Sequence, residues 1–115
     1  MQYLEALYVV EFGDVSSLGY RNGGVAVLET NRIFGGDSGY HYIGQYCVFG
    51  DRFEARVRIT KHNPSWINAF GDDAVQFEIE VSGRIRDGFI EAIMKRTDRP
   101  GLRLPLRLTR TALLP

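Results

Sequence analysis

Apolar and polar residues take turns along most of this chain. Phe53, Ala55, Val57 and Ile59 alternate with Arg52, Glu54, Arg56 and Arg58. Further on, Val75, Phe77, Ile79, Val81, Gly83 and Ile85 alternate with Gln76, Glu78, Glu80, Ser82 and Arg84. Leu102, Leu104, Leu106 and Leu108 do the same with Arg103, Pro105, Arg107 and Thr109. Successive side chains of a strand point to opposite faces, so this period of two predicts antiparallel strands with one dry and one wet face. Asn22-Gly23-Gly24, Thr30-Asn31, Gly50-Asp51 and Asp87-Gly88 supply the positive-φ residues of tight hairpins between them. The pattern predicts strands over 4–13, 23–29, 32–36, 40–49, 52–61, 74–86, 89–96 and 102–110. Pro105 has no N–H for a ladder and predicts a bulge or an edge there. No segment has a helical period, and Ser65–Phe70 has room for one short turn. Long, strongly alternating strands joined by hairpins close naturally into an all-β, eight-stranded antiparallel up-and-down barrel, one domain over 1–115.

The same alternation assigns faces. Tyr40, Tyr42, Gly44 and Tyr46 share one face of the fourth strand, a row of rings with polar tips and one gap. Such a row suits the inner wall of a small barrel. With Tyr8 and Trp66 these tyrosines make a candidate ligand-binding interior, and a filled core is the alternative. The opposite parity turns Leu7, Val9, Ile43, Cys47, Phe49, Phe89 and Ile93 outward. An outer apolar patch of that size marks a contact surface, and a homodimer is its expected use. The longest irregular connection, His62–Gly71, holds the one tryptophan. Trp66 and Phe70 there either cap the barrel mouth or meet a partner.

Composition narrows the class. Thirteen glycines in 115 residues exceed the average share of roughly 7%, in keeping with many turns. The lone Cys47 excludes an internal disulfide framework, and Glu5 interrupts the first apolar run where a signal peptide would need none. No apolar stretch has the ~18 residues of a membrane helix. A cytoplasmic protein without membrane contact is expected. Net charge is zero, yet residues 1–83 hold six basic against eleven acidic residues and residues 84–115 hold eight against three. Arg84, Arg86, Arg103, Arg107 and Arg110 are expected to face acidic neighbours such as Glu78 and Glu80 across the sheet. Basic and aromatic residues do not interleave, so direct nucleic-acid binding is not expected.

Candidate chemistry is sparse. Asp37, His41 and His62 are the available acid–base or metal set, but they follow no ligand spacing and His41 takes the outward parity. After two glycines, Asp37 reads as a turn-capping carboxylate that accepts backbone N–H bonds. Neither a strained nucleophile elbow nor a glycine-rich loop before a helix occurs. No catalytic residue, metal or cofactor is expected, and the chain reads as a binding protein rather than an enzyme.

Several pieces carry a family likeness: Leu4, Leu7 and Tyr8; Gly35-Gly36-Asp37; Tyr42-x-Gly44; Arg58-Ile59-Thr60-Lys61-His62-Asn63-Pro64; and the closing Leu108-Thr109-Arg110 with Leu113-Leu114-Pro115. The chain resembles, over nearly its whole length, the GrlR-like proteins, whose prototype is a negative regulator of type III secretion. That resemblance implies a lipocalin-like barrel, a dimer and an inhibitory complex with a transcriptional activator, with Gly35, Gly36, Asp37 and Gly44 as structural motif residues. The prototype carries four acidic residues in the hairpin after the Tyr-x-Gly strand. Here the matching positions are Val48, Phe49, Gly50 and Asp51, and only Asp51 is acidic. Two functions are therefore expected in turn: sequestration of a regulatory protein partner, or carriage of a small apolar ligand inside the barrel.

Overall fold

Alternation at this length closes on itself. The computed structural model describes residues 4–115, which contain β1 (Ala6–Asp14), β2 (Ser17–Glu29), β3 (Arg32–Gly36), β4 (Tyr40–Phe49), β5 (Arg52–Lys61), β6 (Gln76–Ile85), β7 (Phe89–Arg96) and β8 (Arg99–Leu113). Each strand pairs antiparallel with the next, and β8 pairs with β1, so the sheet is a closed eight-stranded up-and-down barrel. No helix occurs among the described residues, and so none that is long and apolar enough to cross a membrane. The expected all-β, lipocalin-like barrel is what the chain forms.

Three of the predicted turns are present, and their backbone explains them. Thr30 and Asn31 both take positive φ, at 51° and 64°, as a two-residue hairpin with the right-handed twist of its strands requires. Gly50 and Gly88 supply φ of 61° and 83° at the two later hairpins. Asn22-Gly23-Gly24, in contrast, is no turn. Gly23 and Gly24 lie inside β2, paired with Glu11 and Val10, and the chain reverses earlier, through Val15 and Ser16. That reversal is built by a side chain rather than a glycine: Asp14 Oδ1 accepts the Ser16 N–H at 2.9 Å, and Asp14 Oδ2 accepts Asn22 Nδ2 at 3.0 Å. The second strand consequently begins at Ser17 instead of 23. The eighth runs over Arg99–Leu113 instead of 102–110, and Val75 falls outside β6 and is exposed.

Pro105 sits in unbroken register opposite Ile93 of β7. It lies just past Phe12↔Leu106, the last pair of the β1–β8 ladder, so on that side the strand has no ladder to complete. Inside the barrel, Tyr8, Leu28, Phe53, Ile90 and Leu108 are almost completely enclosed, and Tyr46 stacks on Phe53 with centroids 5.6 Å apart. Outside, β5 and β6 carry exposed ion pairs of Arg56 with Glu78 and Glu80, and Arg84 pairs with Asp51 of the β4–β5 hairpin. The expected pairing of arginines with acidic neighbours therefore holds for Arg84, and Arg86 finds Glu91 at 3.6 Å.

Candidate functional site

The interior is filled at one end and hollow at the other. A cavity of about 80 Å³ lies beneath the 62–75 connection, walled by Tyr40, Tyr42, Ile59, Phe77 and Met94 and roofed by Phe70. Its lining is almost wholly apolar; Asp37 and Asn68 bring the charged and amide groups. Tyr40 and Tyr42 thus take their expected places on its wall. Tyr8 and Tyr46 are buried and inward too, but they belong to the packed end and do not reach the hollow. Trp66 departs from expectation. It is 43% exposed, outside the cavity, with its ring laid over Gly39: a Cβ there would lie 2.3 Å from Trp66 Cδ1. The residue that caps the mouth is Phe70, buried edge-on against Phe77.

Asp37 organises the rim. Its Oδ1 accepts the N–H groups of Gly39 and Tyr40, both at 2.8 Å, which is the turn-capping role read from the Gly-Gly-Asp corner. Its Oδ2 accepts the Tyr42 hydroxyl in a short hydrogen bond. Burial and that bond push the Tyr42 phenol well above the ordinary tyrosine range, so it stays a donor. Gly24 leaves room for the pair, since a Cβ there would approach the Tyr42 hydroxyl to 2.9 Å and the Gly36 carbonyl oxygen to 2.5 Å. Gly36 and Gly44 also sit against neighbouring strand backbone, the Gly44 Cβ position lying 2.2 Å from the Arg56 carbonyl oxygen. His62 Nε2 lies 2.9 Å from the Asp37 carbonyl oxygen, while His41 is exposed on the outer face. The three do not converge, and no group of three or more metal-binding side chains occurs among the described residues.

A latch holds the roof in place. Arg96, at the inner parity of β7, is 3% exposed. It donates to Asp72 Oδ2 at 2.6 Å and grips both oxygens of Asp98 at 2.9 and 2.8 Å. Its guanidinium lies over Phe77 and Phe70, 4.6 and 5.8 Å from the ring centroids. Asp72 also accepts Asn68 Nδ2 and the Ala74 N–H, at 2.6 and 3.1 Å. Burial raises the Asp72 carboxyl, but the bonds from Asn68, Ala74 and Arg96 together outweigh it and hold the pKa at about 2. A carboxyl depressed on folding contributes stability that is complete above its unfolded pKa near 4 and is lost as pH falls through 2. Urea unfolding is therefore expected to lose roughly 2 kcal/mol of stability between pH 4 and pH 2 on account of this group. Asp72→Asn should be less stable than the parent at pH 5 and should lose less on acidification. An equal acid loss in both proteins would rule the latch out as the cause.

Outside the barrel, the register assembles a second feature. Leu7 pairs with Val27, Val27 with Phe34 and Phe34 with Ile43, one outward apolar row across β1, β2, β3 and β4. Val9 and Val25 pair in the row beside it. Leu7 and Val27 are half-buried, whereas Phe34 and Ile43 are 37% and 56% exposed. Charged and polar groups rim the patch: Glu29 with Arg32 at 3.3 Å, Gln45, and Arg58 beyond Ile43. Of the outward residues expected to act together, Leu7, Val9 and Ile43 do meet here. Phe49 stands apart at the β4–β5 hairpin, Ile93 lies among charged side chains of β6–β8, and Phe89 is covered by the Arg107 guanidinium at 4.7 Å. Val25, Val27 and Phe34 replace them, and their signal was the parity of Ala26, Leu28 and Ile33, all buried inside.

No family model matches the chain, and no curated protein matches it either.

Proposed function

We propose that this chain is a non-enzymatic binding protein that pairs with a second copy through the outer face of β1–β4 and, as a dimer, sequesters a regulatory protein partner. One observation carries the reading: six apolar side chains, contributed by four consecutive strands, form a contiguous outward patch with a polar rim. Apolar centres with polar rims are the anatomy of protein interfaces, and an isologous pair needs one such self-complementary surface. The resemblance to GrlR-like proteins supports a cytoplasmic dimeric regulator. It does not supply the prototype's own activator as partner, because Val48, Phe49 and Gly50 stand where the acidic run would be.

Sedimentation equilibrium tests the reading. The parent protein is expected to be a dimer, and Phe34→Lys should weaken it by about 2–4 kcal/mol, as loss of an interface anchor does. Phe49→Lys, off the patch, should leave the mass unchanged. A monomeric parent, or a Phe34→Lys protein as dimeric as the parent, would remove this face from consideration.

A second reading rests on the hollow. About 80 Å³ of apolar space beside a carboxylate supports a small ligand held in the interior, in keeping with the wider use of eight-stranded barrels.

A further inference from the structure

The charged group on the cavity wall has no cationic partner among the described residues. The Asp37 carboxylate accepts three hydrogen bonds, from Gly39, Tyr40 and Tyr42, and takes part in none of the ion pairs that the described side chains form. A carboxylate has about four lone-pair sites, so one acceptor position remains, on Oδ2. Asp37 also stands in the wall between two spaces. The cavity and an open groove on the outer surface share Asp37 and Val10 as lining residues. The groove's other charged lining group is Glu11, and neither space is lined by a described lysine or arginine. Arg107, the register partner of Glu11, is engaged over the rings of Phe89 and Tyr20. On its cavity side Asp37 is therefore an acidic point in an apolar surround, beside Tyr40 and Tyr42, and His62 meets its carbonyl oxygen rather than its carboxylate.

Such a surround sorts ligand heads by charge. An ammonium gains a charge-assisted hydrogen bond to the free lone pair, while a hydroxyl gains a weaker one. A carboxylate meets like charge and loses its water. Size sets the rest. A cavity near 150 Å³ holds benzene, so about 80 Å³ suits an apolar body of roughly three or four carbons. We propose that Asp37 binds the ammonium head of a small primary alkylamine whose apolar body occupies the cavity beneath Phe70. The proposal rests on the interior being a binding site, the second reading above.

The test is an NMR titration of the whole protein with n-butylamine, 1-butanol and butyrate at neutral pH. The amine is expected to shift the Gly39 and Tyr40 amides with a Kd at least ten-fold below that of the alcohol, and butyrate to leave them unmoved. Asp37→Asn keeps an acceptor oxygen for the Gly39 and Tyr40 amides. In that variant the amine and the alcohol should bind within about two-fold of each other. Retained alcohol binding there shows that the cavity is intact. Glu11→Gln should keep at least a five-fold preference for the amine. Equal binding of amine and alcohol by the parent would overturn the ligand class and leave the cavity reading standing. Binding of none of the three would overturn both. An amine preference that survives Asp37→Asn would remove Asp37 as the anchor.

Discussion

Replacing Arg96 by methionine is expected to lower stability by about 3 kcal/mol, a fall in melting temperature of roughly 10–20 °C for a domain of this size. Methionine keeps much of the stem's apolar volume against Phe77 and Phe70, so the loss measures the guanidinium rather than a cavity. What is left behind decides the size. Asp98 is 57% exposed and returns to water, but Asp72 is 23% exposed and keeps only Arg99 at 3.2 Å among its cations. Removing one partner of an enclosed ion pair costs more than the pair was worth, because the remaining charge stays poorly solvated. Urea unfolding at pH 7 measures the loss. Hydrogen exchange locates it, since the Phe70 and Gly71 amides, which bond to Asn68, should exchange faster while those of β4–β5 do not. A loss below about 1 kcal/mol would show that the roof is held by packing alone. The double variant with Asp72→Asn separates the two terms, since directly bonded residues give non-additive losses.

The sequence made most of the barrel legible because its strands obey one rule. β3, β4, β5 and β7 occupy the predicted residues, and their hairpins turn at Thr30-Asn31, Gly50 and Gly88, where positive φ demands a recognisable residue. The β1–β2 reversal escaped because Asp14 makes it with hydrogen bonds, and an aspartate has many other uses. The glycines at 23 and 24 have the composition of a turn but mark close approach instead: Gly24 faces the Tyr42 hydroxyl and the Gly36 backbone.

Site residues divide in the same way. Parity on β4 marks Tyr40 and Tyr42 as inward, and the two glycines before it mark Asp37 as a turn cap. Parity says which face a side chain takes but not how far along the barrel it lies, so it does not separate Tyr8 and Tyr46, which are buried but do not line the cavity, from Tyr40 and Tyr42, which do. Trp66 and Phe70 lie in a connection with no period, and nothing local says which ring turns inward. Arg96 did carry a signal. It follows Ile90, Ala92 and Met94 at the inner parity of β7, and a charge at such a position implies a buried partner. Parity also separates inner from outer without ranking the outer residues. Only the register, which brings Leu7, Val27, Phe34 and Ile43 into one row, shows which of them touch.

Gly35→Ala is expected to cost about 3 kcal/mol or more, by forcing apart the strands it joins. Gly35 pairs with Ala26 on one side and Tyr42 on the other. A Cβ there would lie 2.0 Å from the Val25 carbonyl oxygen and 2.6 Å from the Ala26 Cα, both backbone atoms that no rotamer change can move. β3 is the shortest strand, with five residues, so it has few bonds on either side to absorb a shift. Two other glycines calibrate the result. Gly50 has open space around its Cβ position but a φ of 61°, so Gly50→Ala should cost about 1 kcal/mol from backbone strain alone. Gly101 has neither a close neighbour nor positive φ, and Gly101→Ala should be neutral within about 0.5 kcal/mol. Urea midpoints for the three variants should fall in that order. The Gly35→Ala protein should also show accelerated exchange of the β2–β3 amides and line broadening at Tyr42 and Asp37, because the rim of the cavity is built on that strand pair. A Gly35→Ala midpoint level with that of Gly101→Ala would mean that β2 and β3 separate at little cost, and the rim would then be a movable edge rather than a fixed wall.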